Sequence, residues 1–110
     1  MSLRQLALDA LLIAHCDEKC AATGAIAWTG GEHDVAAPDR RRLAGAALPG
    51  RDARPRLVPP ARVAQRPVGT LEGRAALLHS LAHIELNAVN LALDIVWRFD
   101  DMPADFYREW

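Results

Sequence analysis

The chain has 110 residues, 51% of them apolar and 25% charged, with a formal net charge of −1. That length holds one small domain and excludes a two-domain enzyme. The composition excludes wholesale disorder, and no apolar run approaches the roughly 18 residues that cross a bilayer.

Residues 3–28 read as two short helices or one kinked one, because Leu3, Leu6, Ala7, Ala10, Leu11 and Ala14 recur at helical spacing. A break is expected near His15, with Asp17 as the cap of the second segment and Gly30-Gly31 as its end. The opening MSLRQLALDALL has no basic leader and no small-residue cleavage site, so it reads as the start of a mature cytoplasmic chain. Cys16 and Cys20 are too few for a disulfide framework and read as reduced thiols.

Residues 29–69 hold six of the seven prolines: Pro38, Pro49, Pro55, Pro59, Pro60 and Pro67. Proline fixes its own φ, lacks an N–H and restrains the residue before it, so the segment reads as an irregular strap. Between Arg40 and Arg66 it carries eight arginines against one acid, Asp52. Such a strap has two readings: it contacts nucleic-acid phosphates, or it wraps the acidic helices of its own fold. The second is favoured, since no aromatics are interleaved for base stacking and the whole chain gives a polyanion no general attraction.

Residues 70–100 read as one long helix. Thr70 is a good N-cap, Glu72 puts negative charge in the first turn, and no proline follows until Pro103. At 1.5 Å per residue this is roughly 45 Å of helix. Residues 101–110 form a turn and a short element around Phe106, Tyr107 and Trp110. Trp28 and Trp97 read as packing anchors.

On a helical wheel with Leu78 at zero, Glu72, His79, Ser80, His83, Asn87, Asn90, Asp94 and Arg98 fall between about 100° and 200°. The centre of the apolar face, from about 300° through zero to 60°, holds Leu78, Leu81, Ala82, Val89, Ala92, Leu93 and Val96. Glu85 falls at about 340°, amid that apolar face. An ionised acid is almost never buried without a partner or a metal. Three readings stand open: Glu85 ligates a metal inside a bundle, pairs with a buried arginine, or lies at a rim. His79 and His83, at i and i+4, are spaced to clamp a metal from one side. They lie on the polar face, with His83 about 160° from Glu85, so the two residue types are not co-ligands on one straight helix, and the favoured reading is that both histidines hydrogen-bond at a helix–strap contact. Cys16 and Cys20 with nearby His15 lack the two further ligands that structural zinc requires, since only His33 is near.

The run LEGRAALLHSLAHIELNAVNLALDIVWRFDDMPADFYREW resembles the core helix and turn of a bacterial ferritin-like family, domain of unknown function 455. The preceding PGRDARPRLVPPARVAQRPVGT is similar to that family's basic lead-in, and the resemblance is strongest from Pro49 to Trp110. It implies part of a ferritin-like four-helix bundle with a carboxylate-bridged, di-iron site, distantly similar to tRNA hydroxylases of that architecture. Glu85, in the run AHIE, matches the first-helix carboxylate ligand of such folds. The family's Glu-x-x-His motif belongs to a later helix and occurs nowhere in this sequence.

The expectation is therefore an all-α chain, an incomplete ferritin-like unit over residues 1–110 that supplies Glu85, with His83 and His79 as further metal candidates. Iron belongs to the complete fold. Catalysis is expected of full-length oxidoreductase relatives and not of this chain alone. The rival expectation is a non-catalytic interaction module: the long helix exposes an apolar face that a homodimer, missing C-terminal helices or a partner would cover. A symmetric dimer would bring two Glu85 carboxylates together. No membrane is expected as a partner, and nothing in the sequence specifies a substrate.

Overall fold

A computed structural model of the chain describes residues 2–28, 34–43, 45–53, 59 and 66–110. Its helices are α1 (Leu3–Leu12), α2 (Cys16–Trp28), α3 (Leu71–Arg98) and α4 (Ala104–Glu109), with one short 3-10 turn at Arg41–Leu43. Among the described residues there is no strand, only an isolated parallel bridge between Ser2 and Asp34. The fold is all-α, as the helical periodicity implies.

α1 and α2 are separate helices meeting at Ile13–His15, because Ile13 and its neighbours leave helical geometry while Ile13 N–H still bonds back to Ala10 O. α2 is not capped by Asp17, which lies inside its first turn. The acceptor at this end is Asp52, whose carboxylate takes the Cys16 N–H at 3.2 Å. A strap residue distant in sequence thus supplies the negative charge that a helix N-terminus favours.

The core lies where α1 crosses the C-terminal half of α3. Ala7, Leu8, Ala10 and Leu11 are buried against Leu93, Val96 and Trp97, with Tyr107 from α4 closing one end. Leu8 and Leu11 are wholly removed from water, worth about 1.5–3 kcal/mol each against leaving them exposed. Their stripe runs 4, 7, 8, 11, so Arg4 occupies a buried position on the same face. It is satisfied there by the C-terminus of α3. Its guanidinium donates to Val96 O (3.1 Å), Trp97 O (2.9 Å) and the Asp100 carboxylate (2.7 Å). These carbonyls have no intrahelical donor, so a long-range arginine acts as the helix's C-terminal cap.

α3 begins as its sequence dictates. The Thr70 hydroxyl accepts from Gly73 N–H at 3.0 Å and donates to Pro67 O. Gly73 is buried, and a Cβ there would collide with the Pro67 carbonyl, so this first-turn glycine is required by a close backbone approach. At the far end the Tyr107 hydroxyl donates to Phe99 O and accepts from Met102 N–H, tying α4 back onto the turn. Phe106 packs edge-on to both Phe99 and Tyr107.

Only the C-terminal part of the wheel's apolar centre packs: Leu93 and Val96 are buried, while Leu78, Leu81 and Ala82 are exposed. The buried residues of α3 are Gly73, Asn90, Leu93, Val96 and Trp97, and Leu86, His83 and Asn87 are half-buried. The packed side of the helix is therefore turned about a quarter-turn from Leu78, toward the stripe read as polar. Leu71, Leu77, Leu78, Leu81, Ile84 and Leu91 are exposed. Glu85 is exposed as well, so of the three readings open for it, pairing with a buried arginine is not what this chain does.

Candidate functional site

α3 carries two polar centres on opposite sides. The outer one is Glu85, whose neighbours on the same surface, Leu78, Leu81, Ile84 and Ala88, are all exposed. Exposed leucines flanking a carboxylate over several turns make a face that is apolar with one negative charge at its middle. His79 is exposed and His83 half-buried, both rotated away from that face toward the side packed on the rest of the chain. The structure does not bring either histidine to Glu85. Among the described residues no group of three His, Cys, Asp or Glu side chains is placed to hold a metal. Glu85 alone is a single ligand, and a carboxylate-bridged site needs several from facing helices.

The inner centre was not legible in the sequence. Lys19, the one lysine of the chain, is 1% exposed in the interior between α2, α3 and Gly50. Its ammonium donates to Gly50 O and to Asn90 Oδ1, each at 2.6 Å. Gly50 reaches this place because its N–H bonds to Leu11 O and because a Cβ there would strike the Leu12 and Ile13 backbone. Burial holds the Lys19 ammonium below its ordinary 10.5, and nearby Arg51 pushes the same way, while Cys20, Asp52 and Cys16 oppose it. Asn90 Nδ2 is a buried donor without an acceptor among the described residues. At the edge of this centre Arg51 donates to Asn87 Oδ1 at 3.0 Å. The polar stripe of α3 is thus the seam by which α2 and the strap are fastened to it. Of the signals available, only the solitary lysine in a chain of arginines pointed to position 19.

The strap reads in the same way where it is described. Arg40 binds Asp100 with both oxygens accepting, at 2.9 and 3.0 Å, and its guanidinium lies 5.4 Å from the centre of the Trp97 ring. Arg51 meets Asn87, and Arg41 folds onto Asp39. His33, Arg54, Arg56 and Arg62 lie outside the described residues. An open groove of about 490 Å³ is lined by Arg4, Arg40, Asp100, Met102 and Tyr107 among others. Three of its charged groups satisfy one another: the hydrogen bond from Arg4, with Arg40 alongside, holds the Asp100 carboxyl below its ordinary 3.8. Cys16 and Cys20 are free thiols. No helix among the described residues is long and apolar enough to cross a membrane.

A small helical unit with one long, half-covered helix is the class of protein this geometry defines. The chain belongs to the family described as "Protein of unknown function (DUF455)", whose model matches residues 12–110. It is similar to an uncharacterised protein of Haemophilus influenzae, 56% identical over 46 residues, a stretch that takes in 42% of this chain and 16% of the relative. The chain spans well under two thirds of that relative's length. No solved structure matches it.

Proposed function

We propose that this chain is a helical unit of a ferritin-like metal-binding protein, in which α3 is a bundle helix and Glu85 one carboxylate ligand of an iron site. The observation that carries the reading is the position of Glu85: exposed in this chain, yet set among exposed apolar side chains that further helices would cover. Covering that face turns the carboxylate inward, where a cation compensates it. In a completed bundle such a centre would supply Lewis acidity and dioxygen chemistry to a substrate that no residue here specifies. What this chain's own residues do is more limited. Glu85 offers charge, Arg4 and Thr70 hold the two ends of α3, and Lys19 fixes the helix against α2 and the strap. His79 and His83 are further candidates only where a partner helix approaches the side they occupy. Anaerobic titration with ferrous iron tests the proposal: the chain alone binds weakly, and Glu85→Ala abolishes what binding there is. Tight stoichiometric binding that survives Glu85→Ala overturns it.

A second reading rests on the exposed leucines themselves: α3 is the docking helix of a non-catalytic interaction module. Leu78 is 68% and Leu81 51% exposed, in a helix whose other side is already packed. A contiguous apolar patch of this kind is rare on a free monomer and marks an association surface. Sedimentation tests it, since a purely monomeric chain at sub-millimolar concentration contradicts it.

A further inference from the structure

The exposed face of α3 has a repeat that selects its partner. Leu71, Arg74, Leu78, Leu81, Glu85 and Ala88 follow one another at spacings of three and four residues, and every one of them is exposed. This is the seam spacing of a coiled coil, in which first and fourth heptad positions meet the facing helix. Beside the seam, on the side away from α1, Leu77, Ile84 and Leu91 recur every seven residues and are also exposed. On its other side stand Ala75 and Ala82, small enough to let two helix backbones approach. The seam is also nearly palindromic in character. Read outward from its middle, between His79 and Ser80, it runs Leu81, Glu85, Ala88 in one direction and Leu78, Arg74, Leu71 in the other.

We propose that this face binds a second copy of the chain, the two α3 helices pairing antiparallel about a twofold axis between His79 and Ser80. The inference rests on the reading of α3 as a docking helix. It goes further by naming the occupant and its register. In that register Leu78 of each copy meets Leu81 of the other at the axis, and Leu71 meets Ala88 at the rim. Between them Arg74 of each copy faces Glu85 of the other, so the twofold makes the ion pair twice. Charge complementarity is what picks this register. Among the described residues neither Arg74 nor Glu85 has an ion-pair partner within its own chain, although they lie on the same stripe. A twofold centred near Glu85 also buries leucine, but it sets two carboxylates against each other and leaves both arginines outside, an arrangement penalised by like-charge repulsion. The two Glu85 side chains end up on opposite sides of the axis, each about 8 Å along the helix from it. They are therefore not brought together, contrary to the expectation for a symmetric dimer.

Analytical ultracentrifugation of the full chain and four variants tests this, with circular dichroism confirming that each stays helical. The wild type sediments as a concentration-dependent dimer. Arg74→Glu and Glu85→Arg each set like charges together at both symmetric sites, raising the dimer dissociation constant by about a hundredfold. The double variant Arg74→Glu/Glu85→Arg exchanges the charges and restores association. Leu81→Asp dissociates any dimer built on this face, whatever its register. Dimers lost in Leu81→Asp but untouched by either charge reversal, or not restored in the double variant, overturn the register and leave the docking helix standing. Dimers that persist in Leu81→Asp, or a wild type that stays monomeric, overturn the inference together with the surface on which it rests.

Discussion

Replacing Lys19 by methionine tests whether a buried cation fastens α3 to the rest of the chain. Methionine keeps most of the volume and the unbranched stem but removes the ammonium, leaving Gly50 O and Asn90 Oδ1 without their 2.6 Å donor. A buried acceptor left unsatisfied costs about 1–3 kcal/mol. Removing a cation that burial already disfavours returns part of this, so the net loss is about 2–4 kcal/mol. In a chain of this size that lowers the melting temperature by roughly 10–20 °C. Urea unfolding followed by circular dichroism reads the change as a shifted midpoint at constant slope. Adding Asn90→Leu removes Oδ1 and the orphaned Nδ2 together, so the double variant loses less than the sum of the two single losses. The protonation equilibrium supplies a second signature. Because the ammonium titrates below its ordinary 10.5 in the fold, the unfolded chain holds more protons between the two values. Stability from this group therefore rises with pH up to about 10.5, and Lys19→Met loses that rise. A change below about 0.5 kcal/mol, or strictly additive single and double variants, would refute the fastening.

Arg4→Met removes the donor to Val96 O and Trp97 O inside the core, and a loss of about 2–4 kcal/mol is expected in the same unfolding assay. Its hydrogen-exchange signature is faster exchange confined to the last turns of α3. Gly73→Ala places a methyl group against the Pro67 carbonyl, so it destabilises although alanine is the better helix former; a more stable variant would show that the approach is not required. Asp100 binds Arg4 and Arg40 as a carboxylate, with its pKa lowered in the fold. Its contribution is present above the ordinary 3.8 and is lost as pH falls through the lower folded value. Acid unfolding of Asp100→Asn then shows a shallower loss of stability across that window than the wild type.

Much of the architecture was written locally. Thr70 followed by an unbroken leucine- and alanine-rich run specifies α3, since the cap and the absence of breakers act within a few residues. Among the described strap residues there is no α-helix or strand, only the short turn at Arg41–Leu43, and the prolines give an equally local reason. The site was only half legible. Periodicity places Glu85 among leucines, but periodicity cannot say whether anything lies opposite, and among the described residues Glu85 and its leucines are exposed. Nor does a wheel weigh hydrogen bonds. Asn90 and Asn87 read as part of a polar stripe, and they face inward because Lys19 and Arg51 arrive from α2 and the strap to satisfy them.

By itself, then, the sequence determined an all-α chain and a long helix begun at Thr70 that bears one carboxylate on an apolar stripe, but not the start of α2. Tertiary structure alone decided which side of that helix packs. α1 and α2 take the flank running through Asn90, Leu93 and Trp97, where the apolar side chains bury and Arg4 and Lys19 find carbonyl and amide acceptors. The stripe with Glu85 is left outward, with its leucines and its carboxylate exposed.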